Sequence, residues 1–364
     1  MSRQDTSLTS ALAALLEAAV TRAGGWLPFD RFMALALYAP RLGYYASGSR
    51  KFGLSPASGS DFATAPEMTP LFGNALAVQV RDALAATQTD EVWEFGAGSG
   101  ALAAQLLQAL GSSVRRYTIV DLSGSLRERQ RGALTVYGER VRWVSELPAT
   151  LQGVVVGNEV LDAMPVKLLV RTAGIWHERG VAIDAGRLCF ADQPTDLRPP
   201  LLPEGRHDYL TEIHPQAEAF VRTLADRLSR GAAFFIDYGF TEREYYHPQR
   251  HMGTLMCHRG HLADTDPLAD AGQKDITAHV NFSGLALAAQ EAGLHTLGFI
   301  TQARFLFNCG FVAQLAQAPL AERIAGQRLV HEHEMGELFK VIGFHAGPFW
   351  DAVGFREGDR TSTL

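Results

Sequence analysis

The sequence predicts an α/β protein with a Rossmann-like, mostly parallel sheet. Short apolar runs of the buried-strand type alternate with helical stretches through the middle of the chain, and this alternation favours parallel strands with helices on both faces. A glycine-rich loop, residues 94–100, lies between the first of these strands and the next helix. Asp121 comes 21 residues after Gly100, at the end of the second strand.

The elements are predicted from hydrophobic periodicity and from turn residues. Helical structure is predicted at 8–40, where Gly24-Gly25 is expected to stop the first helix, and at 70–86, 102–110, 125–137, 215–228 and 283–292, with an irregular region at 41–66. Strands are predicted at 92–95, 117–120, 141–144, 154–156 and 233–236, and the last two at 296–301 and 340–344, with a helical segment between them.

Two stretches interrupt the alternation. Residues 164–212 contain alternating runs typical of hairpins and then a proline-rich loop, and residues 240–280 are polar, rich in histidine and without periodicity. Long irregular segments in a compact domain usually serve the site, so both are expected to build substrate surface. We divide the chain into an N-terminal helical segment (1–90), the first half of the core (91–163), an insertion with hairpins and a helix (164–230), a core strand (231–239), an irregular substrate-side insertion (240–280) and the C-terminal part of the core (281–364).

Composition excludes several classes of protein. Of the 364 residues, 47% are hydrophobic and 20% charged, which is ordinary for a globular chain and excludes a disordered one. The net charge of −6 supplies no basic surface, so nucleic acid is not an expected partner. The apolar run at 12–20 is too short to span a membrane. Three scattered cysteines fit a reducing compartment, and a cytoplasmic location is expected. The histidines at 247, 251, 258 and 261 lack the spacing of a zinc site, so no metal is expected.

The glycine loop fits more than one ligand. Gly96, Gly98 and Ala101 match the dinucleotide fingerprint, and Asp121 stands where the acidic residue of that fingerprint is expected. Its carboxylate could accept hydrogen bonds from the hydroxyls of a ribose. Glu94 favours another cofactor, because a carboxylate there would repel a pyrophosphate and attract the ammonium and sulfonium groups of S-adenosylmethionine. S-adenosylmethionine is thus favoured, with NAD(P) or a turn that binds nothing as alternatives.

Six segments of the chain occur in a specific combination. They are LGYY at 42–45, GSDFATAPE at 59–67, EFGAGSG at 94–100, GNEVLDAMP at 157–165, FIDYG at 235–239 and DITAHVNF at 275–282. Together they resemble the MidA family, which includes a mitochondrial complex I assembly factor described as a protein arginine methyltransferase. The resemblance implies a seven-strand class I methyltransferase sheet with insertions, S-adenosyl-L-methionine as cofactor and a protein acceptor, with a respiratory complex I subunit as a candidate.

The loop and the resemblance together give a set of predicted cofactor contacts. These residues are Asp61, Thr64, Glu67, Glu94, Gly96, Ala97, Gly98, Asp121, Leu122, Asn158 and Glu159. For Asp61, Thr64 and Glu67 the resemblance implies a lid over the sulfonium side, and ordinary turn and cap roles are the alternative. Tyr44 and Tyr45 could stack on adenine or simply pack.

The predicted catalytic residues are Glu159, Asp162 and His279. Glu159 and Asp162 follow the fourth strand, at the edge where open α/β sheets place their sites. Methylating a guanidinium brings two cations together, and a carboxylate pair would offset that repulsion and hold the planar group bidentately. Glu159 is the predicted clamp, which holds the guanidinium, and Asp162 is predicted to support it. The alternatives are that Glu159 is merely exposed and that Asp162 caps a helix. His279 is a candidate proton acceptor, or else a structural histidine.

The predicted function is methylation of a protein, at arginine, with S-adenosylmethionine as donor. Three alternatives stay open from the sequence. One is an assembly factor that uses the methyltransferase fold as a scaffold, the second is a small-molecule methyltransferase, and the third is an NAD(P)-dependent oxidoreductase.

Overall fold

The computed structural model describes residues 3–47, 63–121 and 123–364. In these ranges the helices are α1 (Arg3–Arg22), α2 (Phe29–Tyr38), α3 (Ala65–Met68), α4 (Leu71–Thr87), α5 (Ala101–Leu110), α6 (Gly124–Ala133), α7 (Pro215–Arg227), α8 (Glu242–Tyr245), α9 (Phe282–Glu291), α10 (Gln302–Asn308), α11 (Phe311–Gln317) and α12 (Leu320–Val330). The strands are β1 (Trp26–Pro28), β2 (Glu91–Phe95), β3 (Arg116–Val120), β4 (Val141–Val144), β5 (Leu151–Asn158), β6 (Lys167–Thr172), β7 (Ile175–Asp184), β8 (Arg187–Pro194), β9 (Tyr209–Ile213), β10 (Leu228–Phe240), β11 (Met256–Arg259), β12 (Leu262–Asp264), β13 (Asp275–Thr277), β14 (Val280–Asn281), β15 (His295–Thr301) and β16 (Phe339–Ala346).

The central sheet has the strand order β15-β16-β10-β5-β2-β3-β4. From β10 to β4 the neighbouring strands are parallel, whereas β16 is antiparallel to both β10 and β15. The predicted α/β fold class is confirmed. The predicted count of seven does not include β14, a two-residue strand that pairs with β10 and makes this an eight-stranded sheet among the described residues.

Both faces of this sheet are covered. Val92, Val154 and Val156 pack into a core with α4 and α5, while Trp93 and Val155 belong to a second core with α7 and α9. A strand buried on both faces needs an apolar residue at every position. This requirement explains the uninterrupted apolar runs of the two central strands, Val154–Val156 of β5 and Ala233–Ile236 of β10.

A second, antiparallel sheet holds the N-terminal part of the chain. Its order is β1-β7-β6-β9, with β8 also paired to β7, and α1 and α2 share a core with it. The helical region predicted over 8–40 is two helices, because Gly24 and Gly25 adopt φ of 78° and 92° and end α1 where the sequence predicts its stop. The chain then forms β1, which pairs with β7.

The prediction of an irregular segment over 240–280 is also wrong. It contains α8 and a three-stranded antiparallel sheet of order β12-β11-β13. The buried carboxylate of Glu212, on β9, accepts hydrogen bonds from the Thr254 amide and the Tyr245 hydroxyl, both at 2.8 Å. These strands are too short for a periodic pattern, and they depend on such buried polar contacts.

Candidate functional site

A cavity of about 1730 Å³ lies at the carboxyl ends of the central parallel strands. The structure brings most of the predicted site residues to its wall. They are Thr64, Glu67, Glu94, Gly96, Ala97, Gly98, Asp121, Asn158, Glu159, Asp162 and His279. Asp61 and Leu122 lie outside the described residues.

The glycine loop turns sharply between β2 and α5. Gly96 has φ of 64°, in the left-handed region that favours glycine, and a Cβ there would lie 2.7 Å from Cγ2 of Val160. An alanine would therefore be strained by its backbone and by its neighbour. The turn brings the loop backbone and the first turn of α5 to the cavity wall, which also includes Ala101 and Leu102.

Glu94 is buried near the end of β2. Its Oε2 accepts a hydrogen bond of 2.8 Å from the Tyr117 hydroxyl of the neighbouring strand β3. Burial raises the pKa of Glu94 to about 8, the Tyr117 hydrogen bond opposes that rise, and the negative charge of Asp121 adds to it. A cation in the cavity would stabilise the ionised form and reverse part of this shift.

Asp121 follows β3 and is held by its surroundings. The Ser123 amide donates to Oδ1 and the Gln130 side-chain amide donates to Oδ2, both at 2.8 Å. Gln130 also donates to the Gly98 carbonyl at 3.1 Å and accepts from the Trp143 indole at 2.9 Å. It therefore fixes Asp121 relative to the glycine loop. Sequence reasoning missed Gln130, whose one signal is its place four residues after Leu126, on the buried side of α6.

A tight turn follows β5 and carries Glu159 and Asp162. Glu159 has φ of 52°, which non-glycine residues rarely adopt. The buried carboxylate of Asp237 compensates, because its Oδ2 accepts from the amides of Val160, Leu161 and Asp162 at 3.1, 2.9 and 3.2 Å. Asp237 belongs to the FIDYG segment of the family resemblance, which gave it no role. Its contact with this turn depends on the pairing of β5 with β10.

Asp162 is buried on this turn, and its carboxylate contacts Tyr238. The Tyr238 hydroxyl donates to Oδ2 of Asp162, whereas Oδ1 is buried without a hydrogen-bond partner among the described residues. Burial raises the pKa of Asp162 to about 6, and the hydrogen bond from Tyr238 limits the rise.

Glu159 lies beside Asp162 and is partly open to the cavity. The side-chain amide of Asn158 donates to its Oε1 at 3.1 Å. Burial, followed by the charge of Asp162, raises the pKa of Glu159 to about 8. The Oδ1 atom of Asn158 is itself buried and unpartnered in the described part of the chain. This corner of the cavity therefore presents acceptor oxygens without matching donors.

His279 is a poor base in this position. Its ring lies flat on Phe240, at a centroid distance of 5.1 Å and an interplanar angle of 2°, and its edge contacts Tyr238. Burial, with a contribution from Arg250, lowers the pKa of His279 to about 4. The imidazole is neutral at pH 7 and keeps little affinity for a proton.

The two tyrosines take different positions. Tyr44 is fully buried and packs edge-on against Tyr45. Tyr45 reaches the cavity wall, stacks on Tyr38 at 5.6 Å and donates to Oδ2 of Asp275 at 2.8 Å.

Two further sequence expectations concern the described residues as a whole. Within them, no group of three or more His, Cys, Asp or Glu side chains is arranged to hold a metal. None of the described helices combines the length and apolar character that a membrane span requires.

A parallel sheet with a glycine loop, an acidic residue at the ends of its first two strands and an antiparallel β16 defines a class I S-adenosylmethionine-dependent methyltransferase. The chain belongs to the family described as S-adenosyl-L-methionine-dependent methyltransferases, whose profile matches residues 75–300. It is similar to a Burkholderia thailandensis protein solved with S-adenosyl-homocysteine bound. The two are 49% identical with a TM-score of 0.95, covering 100% of this chain and 99% of the other.

Curated relatives extend this likeness. The zebrafish protein arginine methyltransferase NDUFAF7 is 28% identical over 353 residues, covering 86% of this chain and 80% of its own. Its Caenorhabditis elegans homolog is 26% identical over 305 residues, covering 74% and 70%. The MidA resemblance and the S-adenosylmethionine cofactor are confirmed, and the NAD(P) alternative is wrong.

The predicted cytoplasmic location is contradicted by these relatives. The zebrafish, nematode and mouse proteins are all named as mitochondrial. The prediction rested on three cysteines, which are free in the structure. Free thiols indicate reducing conditions and do not identify a compartment.

Proposed function

We propose that this methyltransferase acts on arginine side chains of a protein, with Glu159 and Asp162 holding the guanidinium. The names of the NDUFAF7 relatives support the acceptor class. A respiratory complex I subunit is the candidate acceptor that the MidA resemblance adds.

The observation that carries the proposal is a set of buried carboxyl groups without a cation. Glu94, Glu159, Asp162 and Asp237 form no ion pair with a lysine or arginine in the described ranges. Burying carboxylates without compensation is costly, so the cavity favours cationic ligands. The cofactor supplies one such ligand near Glu94, and a guanidinium would supply the second at Glu159 and Asp162.

The acceptor oxygens match a guanidinium in kind. The ionised carboxylate of Glu159, which a cation would favour, Oδ1 of Asp162 and Oδ1 of Asn158 accept hydrogen bonds, and a guanidinium only donates them, through five N–H groups in one plane. We assign Glu94, the glycine loop and Asp121 to the cofactor, with Thr64 and Glu67 beside them. When bound, S-adenosylmethionine supplies an electrophilic methyl group, and the protein's part is to orient the acceptor nitrogen and offset the charge.

The two insertions form the acceptor side in this proposal. The first contributes Met164, Pro165 and Lys167 to the cavity wall, and the second contributes Met256 and His258. Because these residues lie beyond the strand ends that carry the cofactor residues, variation there would change the acceptor and leave cofactor binding intact.

The test is transfer of label from methyl-labelled S-adenosylmethionine to the proteins of a cell extract, followed by hydrolysis and amino-acid analysis. We expect labelled methylarginine with the unaltered chain. Glu159→Gln should reduce the rate roughly 30-fold or more, because it removes one partner of a buried charged contact. Glu322→Gln, at a partly exposed glutamate of α12 outside the cavity wall, is the matched control and should label normally.

Two outcomes would contradict the proposal. Label confined to small molecules would favour a small-molecule methyltransferase. Absence of any transfer, with cofactor binding intact, would favour a scaffold role.

A further inference from the structure

One carboxylate oxygen of Asp162 accepts a hydrogen bond, and the other has no partner in the described part of the chain. Tyr238 donates to Oδ2, the Asp162 amide donates to Asp237 at 3.2 Å, and the Asp162 carbonyl accepts from Ala278 at 2.9 Å. Oδ1, by contrast, has no hydrogen-bond partner among the described residues, and Asp162 lines the cavity with 6% of its surface exposed. The arrangement therefore holds in a fixed position one buried, unpartnered carboxylate oxygen of a residue that lines the cavity.

From this geometry we infer that Oδ1 of Asp162 accepts the proton that the acceptor nitrogen loses on methylation, and that Tyr238 and Asp237 are its positioning residues. The inference rests on the proposed function. It changes the roles expected from the sequence, in which Glu159 is the clamp, Asp162 its support and His279 the candidate proton acceptor.

The chemistry balances with groups already named. The guanidinium nitrogen forms a bond to the methyl carbon, the carbon–sulfur bond breaks, and its electron pair goes to sulfur, which becomes a neutral thioether. The nitrogen then carries one proton more than the methylated guanidinium keeps. That proton passes to Oδ1 of Asp162, and the product leaves as a cation with S-adenosylhomocysteine.

Neither of the other candidates fits the role as well. His279 lies flat on Phe240, and its Nδ1 is buried without a partner among the described residues, so a charge on the ring would be uncompensated. Glu159 is partly exposed to the cavity and is bonded to Asn158. It is better suited to hold the cation than to take up a proton at a fixed point.

The groups around Asp162 determine the pH range in which it can accept a proton. The titratable groups that face it are Glu159 on its own turn, Asp237 and Tyr238 on β10, and Tyr38 and Tyr45 from the N-terminal segment. The acidic neighbours disfavour a second negative charge, whereas the Tyr238 hydroxyl stabilises it. Thr277 in turn hydrogen-bonds Tyr238. With a pKa of about 6, Asp162 is ionised at pH 7 and returns its proton to solvent after turnover.

The experiment measures initial rates of label transfer from methyl-labelled S-adenosylmethionine to cell-extract protein, between pH 5 and 9, with the full chain. Asp162→Asn should lower the rate about 100-fold or more, as loss of a general base does. Its dissociation constant for S-adenosylhomocysteine should stay within threefold of that of the unaltered chain. Asp162→Glu should recover at least tenfold over the asparagine variant.

Tyr238→Phe provides a readout that a merely structural role would not move. At saturating S-adenosylmethionine, the rate of the unaltered chain should fall below about pH 6, and the variant should shift this limb upward by about one pH unit, because the ionised carboxylate loses a donor. Tyr209→Phe removes a buried hydroxyl that donates to the His247 carbonyl, outside the cavity wall, and should leave the profile unchanged.

Three results would overturn the inference. They are an asparagine variant within threefold of the unaltered rate, a glutamate variant no better than the asparagine, or an acid limb that Tyr238→Phe leaves in place. Absence of transfer by the unaltered chain would instead remove the proposed function on which the inference rests.

Discussion

Tyr117 donates a 2.8 Å hydrogen bond to Oε2 of Glu94, from one parallel strand to the next. This contact fixes a carboxyl group that burial would otherwise leave uncompensated beneath the cofactor loop. Burial raises the pKa of Glu94 to about 8 in spite of this hydrogen bond, so the carboxyl group is largely protonated without ligand and ionised beside a cation. Several measurable properties depend on this switch of charge.

Cofactor binding should release protons near pH 7. Without ligand the pKa of Glu94 is about 8, and the positive charge of the cofactor favours the ionised form, so affinity should rise with pH from about 5 to 8. Calorimetry in two buffers of different ionisation enthalpy counts the protons. Glu94→Gln should bind more weakly and release fewer, and equal release by both chains would contradict the assignment.

The ligand-free protein should lose stability as pH rises. The folded-state pKa values of Glu94 and Glu159, about 8, and of Asp162, about 6, lie above their ordinary values of 4.5 and 3.8. The neutral form is favoured in the folded state, so this stability is fully present below about pH 4 and is lost as pH rises through 6 and 8. Between its ordinary and its folded-state pKa, each group should lower the free energy of unfolding by ~1.4 kcal/mol for each pH unit of rise.

Thermal unfolding between pH 4 and 9 checks this sign. The Tm should fall over that range, Glu94→Gln should flatten the fall, and Glu322→Gln should not. A Tm that rises from pH 5 to 8 in the ligand-free protein, with Glu94→Gln rising in parallel, would show that these carboxyl groups are ionised when buried.

Gly96→Ala should weaken S-adenosylhomocysteine binding at least about tenfold. Left-handed backbone costs a non-glycine residue roughly 1–2 kcal/mol, and the added Cβ would lie 2.7 Å from Val160. A second change, Val160→Ala, removes the contact and leaves the backbone strain, so the double variant should recover only part of the affinity. Full recovery would show that the backbone conformation contributes nothing.

Gln130→Leu should weaken cofactor binding through Asp121. A hydrogen bond to a charged group contributes roughly 1.5–3 kcal/mol, and Gln130 makes one to Oδ2 of Asp121 at 2.8 Å. Asp121→Ala should weaken binding further. If Gln130 acts through Asp121, the double variant should be no weaker than Asp121→Ala, whereas additive losses in a titration would indicate separate roles.

The core of the fold was predictable because a doubly covered parallel strand has a local signature. Val154–Val156 are recognisable as a strand without knowledge of their neighbours. β1 and β11 have no such signature, since β1 depends on β7 far along the chain and β11 is a strand of 4 residues held between β12 and β13. Their existence is decided by tertiary pairing, which periodicity does not report.

The residues of the site differ in the same way in how far the sequence predicts them. Glu94, Asp121 and Asn158 were predictable because each lies at the end of a strand where such sheets bind ligands. Asp237 and Tyr238 act on a turn about 75 residues earlier in the chain, and Gln130 bridges two strand ends from a helix. Local sequence contains these residues but gives no indication of what they contact.

The carboxylate-lined cavity binds a cationic methyl donor. Calorimetric titration of the full chain with S-adenosylmethionine, S-adenosylhomocysteine and NAD at pH 7.5 is the decisive measurement of this property. We predict saturable binding of the first two at one site, no binding of NAD, and loss of both in Asp121→Ala. Binding of NAD without binding of S-adenosylmethionine would contradict the account.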